Sequence, residues 1–134
     1  MKQRAESIFT LQAWDEQPYA EFDGRKLTRA HVRKSFRGDL AGESTIEYLM
    51  LYREDGSASF IGMEYVVGQI GARAGSFVLE HRGTFENGVA RATWQVVPGS
   101  GTAALRGLRG EGASALEHAS AYGFALEYDF EETQ

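Results

Sequence analysis

Alternation of apolar and polar residues at a period of two, broken by turn signals, runs from one end of the 134-residue sequence to the other, and helical periodicity is nearly absent. Successive side chains of a strand point to opposite faces, so this pattern calls for half-buried strands. Ala5, Ser7, Phe9, Leu11 and Ala13 alternate with Glu6, Thr10 and Gln12. Ala30, Val32 and Phe36 alternate with His31, Arg33 and Arg37, and Phe124, Leu126, Tyr128 and Phe130 with Glu127, Asp129 and Glu131. Asp55-Gly56 and Asn87-Gly88 each lie between two such runs, and both dipeptides accept the positive φ angles of a two-residue hairpin turn. They predict antiparallel pairing of 44–53 with 57–67 and of 76–85 with 89–97.

The connections are read from their turn chemistry. The acidic, Pro-containing DEQPYAEFDG, residues 15–24, reads as a surface connection, and the Gly-rich GQIGARAG, residues 68–75, joins the two hairpins. Leu105 to Gly112 adds a further strand. In ASALEHASAYG, residues 113–123, the Ala, Leu and Glu content lets a short helix compete with strand. The expected architecture is all-β: a single antiparallel β-barrel of about eight strands over residues 1–134, mostly a meander with short hairpins. Closure removes exposed edges, and roughly eight strands enclose either a packed core or one small ligand.

Composition removes several kinds of chemistry. The chain has no Cys, which excludes disulfides, thiolate metal sites and cysteine nucleophiles. Its three histidines lie on distant segments without a His-x-His pair, so no metal is expected, and neither a Gly-x-Ser-x-Gly elbow nor a cofactor fingerprint occurs. A net charge of -5 opposes non-specific attraction to nucleic acid or anionic lipid, and Arg29, Arg33, Lys34 and Arg37 read as a solvated strand face. The N-terminal MKQRAESIFTLQAW has no continuous apolar core of a signal peptide, and no run approaches the roughly 18 apolar residues of a membrane span. A cytoplasmic protein without cofactors is expected.

VVPGSGTAALRGLRGEG at 96–112, FRGDLAGES at 36–44 and GARAGSFVLEHRGTF at 71–85 together resemble a family of small bacterial domains of unknown function whose members look like the allene oxide cyclase barrel. Allene oxide cyclases and dirigent proteins carry a loosely similar Gly-Thr-Gly hairpin. The resemblance spans nearly the whole chain and implies an allene oxide cyclase-like fold. In physical terms, Gly99-Ser100-Gly101-Thr102 is a tight reversal that Ser100 and Thr102 can cap by local hydrogen bonds. It lacks the lysine and the following helix of a phosphate-binding loop.

Inside such a barrel Phe60, Gly62, Glu64 and Val66 share one face, Phe77, Leu79 and His81 a second, and Ala90, Ala92, Trp94 and Val96 a third, which turns Glu64 and His81 inward. Strand 44–53 is apolar on both faces: Thr45, Glu47, Leu49 and Leu51 compete with Tyr48, Met50 and Tyr52 for the interior, and a one-residue slip exchanges the two sets. Guided partly by the resemblance, Glu47 is placed inward, with Tyr48, Met50 and Tyr52 covering something outside, which predicts a homo-oligomer, expected to be a dimer. Glu64, Glu47 and His81 are the candidates for acid/base work. Burial without a cation would raise the Glu64 pKa, and Glu64→Gln would then preserve or increase stability. Glu47, Glu64, His81, Trp94, Phe60, Phe77 and Tyr128 are expected to line a site, with Gly62 leaving room in the lumen. A small apolar or amphipathic ligand is the first functional expectation. The alternatives are a cyclase or isomerase using interior carboxylates, as the resemblance implies, and a purely structural self-associating domain.

Overall fold

The computed structural model describes residues 2–131. Its eight strands are β1 (Gln3–Phe22), β2 (Arg25–Gly38), β3 (Leu40–Tyr52), β4 (Ala58–Ile70), β5 (Arg73–Glu86), β6 (Val89–Val96), β7 (Leu108–Glu117) and β8 (Tyr122–Phe130). Each pairs antiparallel with the next, and β1 pairs with β8, so the sheet closes into a barrel in chain order. The Asp55-Gly56 and Asn87-Gly88 hairpins form as expected, the second with positive φ at both residues.

Two segments depart from the sequence expectation. Residues 15–22 are not a loop but the far half of β1, and Asp23-Gly24, with φ of 45° and 76°, makes a third tight hairpin. Pro18 is tolerated there because the β1–β8 ladder covers only Gln3–Phe9, which leaves the other edge of β1 unpaired beyond it. Register shifts between Leu11 and Ala13 and between Pro18 and Ala20 further blunt that edge. Residues 113–117 continue β7 rather than forming a helix: Ser114 pairs with Ala92 and Leu116 with Ala90, and this cross-strand pairing overrides helix propensity.

One end of the barrel is packed shut. The GSGT loop does not cap itself locally. Thr102 accepts the Ser76 N–H on its hydroxyl at 3.1 Å, its own N–H donates to the Ser76 carbonyl at 2.9 Å, and the Ser100 hydroxyl accepts the Val78 N–H at 3.0 Å. The loop is thereby laced to β5, where a Cβ at Gly75 would collide with the Thr102 carbonyl, and the loop folds tightly on itself, where a Cβ at Gly101 would collide with the Leu105 carbonyl. A single 3₁₀ turn, Ala103–Leu105, then carries Leu105 into the barrel, where it joins Phe77, Leu79, Leu40, Val66, Ile70 and Leu126, all buried.

The other end is wider and built from aromatic residues. On β3 it is Tyr48, Met50 and Tyr52 that face inward, beside Phe60 and the buried Ile46, Val32 and Ala30. The inward placement of Glu47 is therefore corrected, and so is the idea that Tyr48, Met50 and Tyr52 form an outer patch. The apolar outer strip belongs to β4 instead, where Ile61, Met63, Tyr65 and Val67 are exposed and Leu49 lies across from Ile61. Among the described residues no helix is long and apolar enough to cross a membrane.

Candidate functional site

The open end holds a cavity of about 360 Å³ whose walls include Phe9, Trp14, Tyr48, Phe60, Trp94 and Tyr122. Its width depends on three glycines. Gly62 is the cross-strand partner of Tyr48, Gly83 of Phe60 and Gly112 of Trp94, and in each case an added Cβ would run into the aromatic ring. The rings lie flat over bare backbone and leave the centre open, a cross-strand aromatic–glycine arrangement that a bulkier partner forbids. The space at Gly62 is thus occupied by Tyr48 rather than left vacant.

The rim is fixed by a carboxylate that sequence reasoning missed. Glu16 accepts hydrogen bonds from Thr28 at 2.6 Å, Tyr52 at 2.7 Å and the Trp14 indole N–H at 3.0 Å. Partial burial pushes its carboxyl up, but these three donors outweigh that and hold it below its ordinary range. Trp14 in turn stacks on Tyr48 at 6.1 Å between centroids.

At the base of the cavity lies a buried polar cluster. Glu64, with no exposed surface, accepts a 2.5 Å hydrogen bond from the Ser44 hydroxyl on Oε2, sits 3.5 Å from Lys34 Nζ through the same oxygen, and bonds His81 Nε2 at 2.6 Å through Oε1. Lys34 is buried as well. Its charge also acts on the Tyr48 hydroxyl, and it stands over the Phe9 ring at 4.5 Å. Burial alone would raise the Glu64 pKa, but Lys34, His81 and Ser44 together reverse the sign and hold it down to about 2. The expected upward shift is thus corrected, and the cause is Lys34. Its position in the alternation of β2 follows inward-facing Ala30 and Val32, so it points inward while Arg29, Arg33 and Arg37 remain on the solvated face. Glu64→Gln would leave Lys34 buried without its counter-charge, so the expectation of unchanged or increased stability reverses too.

The other sequence-derived positions separate. His81, Trp94 and Phe60 line the cavity with Lys34. Phe77 is buried in the closed end, and Tyr128 is half-buried beside it, its hydroxyl directed to Gln3 at 3.4 Å. Glu47 lies on the outer surface, bonded to His31 Nδ1 at 2.6 Å and facing Arg29 at 3.6 Å; the His31 hydrogen bond lowers its pKa, against a smaller effect of burial. No group of three or more metal-ligating side chains converges among the described residues.

A second, more polar cleft of about 610 Å³ opens where β7 and β8 part, since their ladder covers only Leu108–Glu111 with Glu127–Phe130. Arg4, Arg82, Glu80, Glu111 and Glu127 line it, and it reaches His81 and Trp94. Trp94 bridges the parting strands by donating its indole N–H to the Ala125 carbonyl at 3.1 Å and stacking on Phe124 at 5.1 Å.

No curated protein matches the sequence. A crystal structure from Shewanella oneidensis MR-1, of a protein with unknown function from the DUF3224 family, is similar at 30% identity over 99% of this chain and 100% of its own, with a TM-score of 0.82. The model of that family, described as protein of unknown function (DUF3224), matches residues 5–128, a span that takes in Lys34, Ser44, Tyr48, Glu64, His81 and Trp94. On both grounds the chain belongs to the DUF3224 family.

Proposed function

We propose that the protein binds one small apolar or amphipathic molecule in the open end of its barrel. The observation that carries this reading is the aromatic cavity itself: concave, apolar over most of its wall, and supplied with a few convergent polar groups at its base, the arrangement by which small-molecule sites are generally built. Kinship with the allene oxide cyclase barrel is part of the proposal, supported by eight antiparallel strands that close in chain order. Native mass spectrometry of protein purified from its own host is expected to show a retained adduct of a few hundred daltons. Ala92→Phe, which fills the cavity wall, is expected to lose that adduct with an unchanged circular dichroism spectrum. A bare mass for the parent protein contradicts the reading.

The exposed strip of Ile61, Met63, Tyr65 and Val67 supports self-association through the outer face of β4, because contiguous apolar patches on soluble proteins mark interaction surfaces. Light scattering at micromolar concentration is expected to give twice the 14.8 kDa chain mass, and Met63→Lys to return the monomer. A monomeric parent rejects the dimer and leaves the cavity reading intact.

A further inference from the structure

We propose that His81, oriented by Glu64, is a general base that moves a proton on a bound apolar ketone or enone, with the Tyr48 hydroxyl as hydrogen-bond donor to the carbonyl oxygen. The inference rests on the cavity being a ligand site and adds what happens to the ligand there.

A carboxylate only accepts, so the 2.6 Å contact fixes the imidazole tautomer: Nε2 carries the hydrogen that it donates to Glu64 Oε1. In the neutral ring the other nitrogen, Nδ1, bears the lone pair. Among the described residues it hydrogen-bonds nothing, and His81 is part of the cavity wall. Glu64 is held in turn by Ser44 and Lys34, so the base has a fixed support, the arrangement in which a carboxylate orients a histidine and stabilises its protonated form. The Tyr48 ring meets the His81 ring edge-on at 6.3 Å between centroids, and among the described residues its hydroxyl donates to no protein acceptor, with the Lys34 charge close enough to act on it. Burial keeps that phenol protonated by raising its pKa.

Apart from these groups the surrounding wall is largely aromatic and aliphatic. A ligand with one carbonyl and an apolar body satisfies both parts of the site. In the step, Nδ1 removes a proton from the carbon next to the carbonyl. The C–H electron pair becomes the C=C of an enolate, whose oxygen accepts the Tyr48 hydroxyl beside the Lys34 charge. When the proton on Nδ1 is replaced from solvent before it returns to the same carbon, the carbon is left with a solvent hydrogen, and return to the far end of an enone shifts the double bond. No atoms are gained or lost, and no co-reactant is needed. Glu64 is a positioning residue here, because it acts through His81.

The test uses 2-decalone, an apolar ketone, in D₂O. Binding is read by saturation transfer, and loss of the α-proton signals is read in the same NMR sample. At saturating protein the exchange is expected to run at least about 100-fold faster than in buffer at equal pD, within the usual span of general-base catalysis. His81→Gln, whose amide N–H still serves Glu64, should bind the ketone but exchange it at the buffer rate. Tyr48→Phe should lower the saturated rate about 100-fold. Glu64→Gln should lower the saturated rate without changing the dissociation constant. A ketone that binds and exchanges no faster than in buffer, or a His81→Gln protein as fast as the parent, overturns the proposal while the binding reading stands. A ketone that does not bind overturns both.

Discussion

Replacing Lys34 by Met is expected to lower the unfolding free energy by about 3–5 kcal/mol at neutral pH, because it leaves the Glu64 carboxylate buried without its cation. Methionine keeps the length of the apolar stem against Phe9, so the loss reports charge rather than volume. Two controls separate this account from a general packing defect. The pair Lys34→Met with Glu64→Gln removes both charges and should recover most of the loss, since exchanging a buried ion pair for uncharged groups of similar shape is close to neutral. The pH dependence should also weaken. In the parent protein the Glu64 pKa is held down to about 2 from an ordinary 4.5, so its contribution is complete above the unfolded value and is lost as pH falls through that window. In Lys34→Met, burial acts with less opposition and the folded pKa rises. The variant then loses less stability than the parent as pH falls through that window. Urea denaturation at pH 7, 5 and 3 measures all of this, and a Lys34→Met protein as stable as the parent at pH 7 would remove Lys34 from the account.

Trp94→Ala is expected to cost about as much, roughly 3–5 kcal/mol, for a different reason. The ring is 6% exposed, stacks on Phe124, and lies against His81 at 5.9 Å between centroids. It also spans the gap left where β7 and β8 stop pairing. Deleting it removes the packing, leaves a void between the inner cavity and the outer cleft, and breaks the hydrogen bond to Ala125. Trp94→Phe should be milder, keeping a ring over Gly112 and losing the indole N–H, a change of about 1–2 kcal/mol. Equal losses in the two variants, by the same denaturation curves, would show that the hydrogen bond and not the ring holds the parting strands together.

The barrel was legible because its determinants are local: alternation sets each strand's faces, and two Asx-Gly hairpins set the pairing of four strands. The far half of β1 was not, since Pro18 and the acidic run read as loop chemistry, and only the absence of a neighbour along that edge makes room for them. Inward placement of Glu64 and His81 followed from period two. The sign of the Glu64 shift did not, because it depends on Lys34, two strands away and surrounded in sequence by solvated arginines. Yet the same alternation that puts Val32 inside puts Lys34 inside, so that signal was present. On β3, with both faces apolar, alternation carries no preference. The choice is made by tertiary pairing: Tyr48 falls opposite Gly62, the position with room for a ring, and Glu47 falls opposite Met63 on the outside beside His31. The three aromatic–glycine pairs were visible only once the register was known.

The central claim is that the open end of the barrel, and not the apolar outer strip of β4, is where a small apolar molecule binds. An isotope-filtered NOE spectrum of the labelled protein with an unlabelled two-ring aromatic probe, 1-naphthol, tests it directly. The account predicts contacts from the probe to Tyr48, Met50, Phe60 and Trp94. Contacts confined to Ile61, Met63, Tyr65 and Val67, or none to the barrel interior, would contradict it.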